Sequence, residues 1–178
     1  EELKIELAPV FQKKGIDFFQ KAAIKVDPKN NKIDLDDGSA VEYDYLVISK
    51  GPGLAFDEVP GLGPEAHTSS VCHVDHAAVA AQNWEKYMQD PGPIIVGAVQ
   101  GASCFGHAYE YLIILETELR RPIVRDQVPM TFVVTSEPYV GHLGLGGVGD
   151  TKGMLESALR EKTINWITNA KSIRSKRV

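Results

Sequence analysis

The chain contains two cysteines and five histidines. Cys72 lies in Ser69-Ser-Val-Cys-His-Val-Asp-His76, and Cys104 in Gly97-Ala-Val-Gln-Gly-Ala-Ser-Cys-Phe-Gly106. A cysteine becomes a nucleophile as the thiolate, and the free N–H groups and dipole at a helix start favour that form. A helix is expected from about Ser103, which puts Cys104 in its first turn. The same position also suits an inert thiol that simply packs the helix start, and both readings stand on these residues alone. Cys72 has His73 and His76 beside it, imidazoles that can tune its protonation. No third and fourth ligand follow at credible spacing, so no metal site is expected. His76 and His142 are the two histidines considered for proton handling, against the ordinary structural role of a lone histidine.

Glycine-punctuated loops are the second chemical feature. Tyr43-Asp-Tyr-Leu-Val-Ile-Ser-Lys-Gly51-Pro-Gly53 reads as an apolar strand ending in a loop whose backbone N–H groups can approach a ligand closely. The turn from Gly97 to Gly106 occupies the place of a dinucleotide fingerprint between a strand and a helix, but its spacing is wrong. G-x-G-x-x-G needs glycine at the third position, and Val99 stands there. A β–α turn of that architecture without nicotinamide binding is therefore expected. Glu137, after the next strand, is the residue that could have taken ribose hydroxyls, and it is read as loop surface.

These residues need a scaffold, and the periodicity supplies one. A short helix is expected over Leu7–Lys14. A small antiparallel meander follows: Phe18–Val26, then Lys32–Leu35, then Ala40–Tyr43, separated by the turn residues Asp27-Pro28-Lys29-Asn30-Asn31 and Asp36-Asp37-Gly38-Ser39. Tyr45–Ser49 reads as a buried parallel strand. Asp75–Met88 has helical spacing. Asp90-Pro-Gly-Pro93 is the candidate boundary, which divides the chain into 1–90 and 91–178. After it come strand Ile94–Ala98, a helix to about Arg120, strand Met130–Thr135, a glycine-rich loop from Glu137 to Gly149, helix Thr151–Glu161 capped by Asp150 or Thr151, and strand Ile164–Ile167. That alternation is the order of a doubly wound parallel sheet. The expected fold class is α/β: parts of two Rossmann-like dinucleotide-binding domains, with a three-layer parallel sheet and the meander.

Bulk composition sets limits on partners. The chain has 178 residues, 43% of them hydrophobic and 24% charged. That supports a packed core and argues against wholesale disorder. With a net charge of −5 and no basic stripe in the body of the chain, nucleic acid is not expected as a partner. The cluster Lys171, Arg174, Lys176, Arg177 reads as a solvated terminus. No apolar run approaches the roughly 20 residues that span a bilayer, no signal peptide is evident at the start, and two cysteines are too few for a secreted disulfide scaffold.

Taken together, Ser69–Ala77, Val96–Gly106 and Val134–Gly149 resemble the sulfide:quinone oxidoreductases of bacteria. Tyr43–Gly51 with Val59-Pro-Gly61 resembles the flavoprotein signature, with Ser49-Lys50 where that signature usually has Ala-Thr. His107 stands where the family word has proline. The resemblance runs through nearly all of the chain and covers the middle of such an enzyme, so the chain is read as an internal piece. It implies FAD, sulfide as electron donor, a membrane quinone as acceptor, and polysulfide or zero-valent sulfur as product. It implies a peripheral membrane location for the parent through segments not present here, and it allows a homo-oligomer. Cys104 matches a redox cysteine at the flavin, and Cys72 a cysteine used by some members. His76 and His142 match histidines of proton transfer and of sulfide or quinone traffic. Lys21, Ala22 and Ala23 match the strand that meets the adenine, and Gly51 and Gly53 the loop along the flavin's diphosphate arm. By this reading 1–90 is part of an FAD domain and 91–178 part of a second, NAD-like domain. The fragment itself is expected to be soluble and catalytically inert and to bind FAD weakly or not at all, for want of an N-terminal G-x-G-x-x-G. A type II NADH dehydrogenase and a flavocytochrome c sulfide dehydrogenase are the alternatives of the same superfamily. A non-catalytic interaction domain with inert thiols is the alternative of another class.

Overall fold

A computed structural model of the chain describes residues 4–51, 53–102, 105–143, 146 and 148–170. The chain divides in space into two compact units, Glu1–Gly53 and Leu54–Val178. The Asp90–Pro93 break therefore lies within the second unit, as a link between a helix and a strand.

The first unit holds helix α1 (Leu7–Lys13) and strands β1 (Ala23–Asp27), β2 (Lys32–Leu35) and β3 (Ala40–Glu42). The strands form an antiparallel sheet in the order β1-β2-β3, as the alternation and turn residues lead one to expect. β1 starts later than Phe18. Its partner β2 is only four residues long and reaches Ala23 through Leu35, so the strand ladder stops there. Phe18 instead packs its ring against Phe11, centroids 5.3 Å apart. The expected strand Tyr45–Ser49 does not form, and Tyr45, Val47 and Ile48 stand 94%, 88% and 72% exposed. A parallel strand exists only through the ladder on its flanks, and among the described residues none pairs with this run.

The β1–β2 turn is held by one carboxylate. Asp27 accepts from the Asn30 side-chain amide at 2.8 Å and from the N–H groups of Lys29 and Asn30 at 3.1 and 3.3 Å. The Asn30 amide, first, and these N–H groups hold its carboxyl below the ordinary Asp range. A depressed carboxylate adds stability above its unfolded value and loses it as pH falls through the folded one. Amide exchange at Lys29 and Asn30 is thus expected to stay slow near neutrality and to gain a pH-dependent acceleration, beyond the intrinsic trend, only below about pH 4. NMR exchange across that range checks it; an onset near pH 6 would contradict the assignment.

The second unit contains α2 (Val74–Tyr87), β4 (Ile94–Ala98), α3 (Gly106–Arg120), β5 (Met130–Val134), α4 (Thr151–Glu161) and β6 (Ile164–Thr168). The strands are parallel in the order β4-β5-β6, with Val96, Phe132 and Trp166 in register. Period-two burial follows from the pleat: Met130, Phe132 and Val134 of β5 are fully buried, while Ile95 of β4 and Ile167 of β6 point out at 74% and 52% exposure. The buried face meets Tyr109, Leu112, Leu115 and Leu119 of α3 and Leu159 of α4, with Trp84, Tyr87 and Met88 of α2 at its margin. The Tyr87 hydroxyl donates to the Gly92 carbonyl and so anchors the α2–β4 link. Asp150 caps α4, its carboxylate accepting from Gly153 N–H at 3.1 Å.

A buried ionic cluster closes the end of this unit. Glu116 of α3 is fully buried and lies 2.5 Å from Arg120 Nε, 3.5 Å from Lys162 Nζ and 3.6 Å from Arg125 Nε. Arg125 donates to the carbonyls of Val128, Lys162 and Thr163 at 2.8, 2.5 and 3.0 Å. One guanidinium thereby joins the α3–β5 connection to the α4–β6 turn.

Candidate functional site

The chemistry-bearing residues of the second unit sit on three local frames. The first is the start of α2. Cys72 is exposed two residues before the helix, its N–H donating to Ser70 Oγ at 3.3 Å. His73 is the N-cap: its Nδ1 accepts from Asp75 N–H at 3.4 Å. That gives His73 a local structural task, and the same Nδ1 lies 3.6 Å from the Asp75 carboxylate. His76 is half-buried, with its ring centroid 5.4 Å from His73 and 5.7 Å from Phe56. Its Nδ1 is buried and has no partner among the described residues.

The second frame is the β4–α3 turn. Cys104 lies outside the described residues. α3 begins at Gly106, a little later than expected, with Phe105 as N-cap. Gly101 has φ +82° and open space beside it, whereas Gly97 is pressed against β5. Val99 is half-buried at the position where a dinucleotide turn requires glycine.

The third frame is the loop from β5 to α4. Here the expectation for Glu137 is overturned: it is not loop surface but fully buried. The reason is a partner invisible in sequence order, the Tyr109 hydroxyl of α3, which donates to Glu137 Oε2 at 2.9 Å. A second bond ties the same hydroxyl to the loop, since Gly141 N–H donates to it at 2.9 Å. Burial, first, raises the Tyr109 hydroxyl well above the ordinary tyrosine range, and the adjacent Glu137 adds to that. Tyr109 therefore remains a neutral donor at any physiological pH. His142 follows Gly141; its ring meets Tyr139 edge-on at 5.3 Å, and its buried Nδ1 has no partner among the described residues.

The candidate cofactor residues belong to the first unit. Lys21 pairs with Asp37 at 3.4 Å, and the Ala22 carbonyl accepts from Asp36 N–H at 3.0 Å. Ala23 pairs with Leu35, and the register shifts before Lys25. Gly51 has φ +77°, which favours glycine, and a Cβ at Gly51 or Gly53 would meet nothing within 4 Å. Of the predicted site residues, Cys72 and His76 thus share the α2 start. Among the described residues no ring contact or hydrogen bond joins either of them to His142. Tyr109 and Thr151 escaped the sequence reading. Tyr109 sits on the apolar helical face and looks like core, while Thr151 looks like a cap.

No protein-family model matches the chain. It is 41% identical over 169 residues to the sulfide-quinone reductase of Aquifex aeolicus, covering 95% of this chain and 38% of that protein. It is 26% identical over 126 residues to the mitochondrial sulfide:quinone oxidoreductase of Dictyostelium discoideum, covering 68% of this chain and 28% of that one. The X-ray structure of the Aquifex sulfide:quinone oxidoreductase superposes with a TM-score of 0.89 at 40% identity, over 95% of this chain and 39% of the enzyme. A ferredoxin reductase from Rhodopseudomonas palustris, at 16% identity and TM-score 0.62, over 95% of this chain and 37% of that one, shares the fold alone. The chain therefore spans less than two fifths of the length of these relatives and, over that span, is similar to sulfide:quinone oxidoreductases.

Proposed function

We propose that the chain serves a flavoprotein that oxidises sulfide and passes the electrons to a quinone. The observation that carries this is the 41% identity to the Aquifex sulfide-quinone reductase, which spans 95% of the chain. FAD is the cofactor of this reading. Gly51, with positive φ and open space beside it, has the form of a backbone that a diphosphate can approach, and Gly53 continues it. Ala23 opens β1, an edge strand among the described residues, with Lys21 and Ala22 leading into it, and the outer edge of such a strand suits the rim of an adenine. Bound FAD supplies the two-electron acceptor that hands electrons on to quinone.

The chain's own residues carry the rest. Cys104, in an oxidised sulfur bridge, is attacked by sulfide: a sulfur–sulfur bond forms to Cys104 and the bridging sulfur leaves as thiolate. The two electrons given up by sulfide rest on that thiolate and would pass to FAD as the bridge to Cys104 re-forms, with the added sulfur leaving as zero-valent sulfur or polysulfide. Cys72 is exposed and serves as an accessory thiol. His76 and His142 take the protons that sulfide gives up, a task suited to imidazole near neutral pH. The domain assignment 1–90 to the FAD side and 91–178 to the second, NAD-like side belongs to the same reading, as does peripheral contact with the membrane that holds the quinone. Within the described chain no helix is long and apolar enough to cross a membrane. Val99 and the buried Glu137, whose carboxylate already binds Tyr109, weigh against a nicotinamide donor.

Anaerobic addition of sulfide to the flavin-loaded protein that carries this chain is expected to bleach the flavin band near ~450 nm. Cys104→Ser should abolish that bleaching, and NADH should leave the band unchanged. Bleaching by NADH and not by sulfide would replace this reading with that of a nicotinamide dehydrogenase.

A further inference from the structure

The loop that carries His142 is gripped at a single residue, Gly141, through the two peptide units that flank it. On one side Gly141 N–H donates to the Tyr109 hydroxyl at 2.9 Å; on the other the Gly141 carbonyl accepts from Thr151 Oγ1 at 2.9 Å. Gly141 is buried, has φ +89°, and a Cβ there would stand 2.8 Å from the Thr151 carbonyl oxygen and 3.2 Å from Leu155. The Tyr109 hydroxyl has one proton, and that proton goes to the fully buried Glu137, so its lone pair faces the loop. The ring itself is fixed by Phe132, with centroids 4.4 Å apart. Burial in a low-dielectric interior makes such a chain of hydrogen bonds stiff, because each alternative leaves a polar group unsatisfied.

We propose that Tyr109 is a positioning residue for His142: its hydroxyl, aimed by Glu137, pins the Gly141 N–H and thereby holds the next residue, His142, in place between β5 and α4. Thr151 completes the grip from the helix side. The clamp stands on geometry alone, while its catalytic weight rests on the reading of His142 as a proton-handling group.

Tyr109→Phe keeps the ring on Phe132 and removes only the hydroxyl. In the full chain, the Gly141 amide proton is expected to move upfield and to exchange about 5- to 10-fold faster, the worth of one ordinary hydrogen bond. The His142 ring resonances are expected to shift and broaden. Glu137→Gln keeps an acceptor for the hydroxyl and should hold Gly141 and His142 near their original shifts. Thr151→Val releases the Gly141 carbonyl and should disturb the same two residues, which gives a second route if Tyr109→Phe folds poorly. Unchanged Gly141 and His142 signals in both Tyr109→Phe and Thr151→Val would overturn the proposal. The rate of sulfide-driven flavin reduction is measured on the same variants in the flavin-loaded protein. Moved His142 signals with an unchanged rate would leave the clamp standing and remove His142 from the proton path.

Discussion

Replacing Arg125 with alanine is expected to lower the unfolding free energy of the second unit by about 3–5 kcal/mol, the range for breaking a buried ionic contact by removing one partner. Arg125 is 8% exposed and its guanidinium serves three main-chain carbonyls, those of Val128, Lys162 and Thr163. Water does not readily reach those oxygens when the side chain goes, and each buried acceptor left unpaired costs about 1–3 kcal/mol. Part of that is recovered by local relaxation. Glu116 also loses a neighbouring positive charge, although Arg120 and Lys162 remain beside it. Lysine at position 125 is a poor substitute, because an ammonium cannot present the planar fork that reaches three carbonyls. Both tryptophans, Trp84 and Trp166, belong to the second unit, so urea unfolding followed by tryptophan fluorescence reports on that unit. A loss under about 1 kcal/mol would mean that the three carbonyls are hydrated and that the cluster contributes little.

Gly97→Ala is expected to cost about 3 kcal/mol, at the upper end of what overpacking a close contact costs. The cause is space and not backbone angle. A Cβ at Gly97 would lie 2.1 Å from the Val133 carbonyl oxygen and 3.0 Å from its carbon. Gly97 pairs with Val133 in the parallel ladder, next to Val96 and the fully buried Phe132. To admit a methyl group, β4 must move off the β5 backbone at Val133. Gly101→Ala is the control. Gly101 has open space but φ +82°, so alanine there meets only the left-handed backbone penalty of about 1–2 kcal/mol. The two variants, unfolded in urea side by side, separate a packing requirement from a conformational one. Equal losses at the two positions would show that the strand–strand approach is looser than the distances state.

That contrast also explains how the sequence can mislead about glycines. Gly97 and Gly101 both look like members of a phosphate-binding turn, and spacing alone gives no way to tell why each is glycine. The register of β4 against β5 makes Gly97 a packing residue, while Gly101 shapes the turn that leads toward α3. The missing glycine at Val99, by contrast, was legible at once, because the dinucleotide fingerprint depends on short-range spacing.

The alternation of β4, α3, β5, α4 and β6 followed from local periodicity and turn residues, since both 3.6- and 2-residue repeats are written in neighbouring positions. The antiparallel meander of the first unit was legible for the same reason, and so was a cap for α4 at Asp150 or Thr151, of which the structure takes Asp150. The words around Cys72, Cys104 and His142 carried the family, because those short motifs are contiguous in the chain. What only tertiary structure decided depends on residues far apart in sequence. Tyr45–Ser49 is apolar enough for a strand but has no ladder partner among the described residues. Glu137 looks like a loop carboxylate, yet a hydroxyl 28 positions earlier draws it into the core. Arg125 gives no local sign that it will bind carbonyls 37 and 38 residues away. A polar side chain is free to be buried only when a distant partner satisfies it, and that partner is known only once the chain has folded.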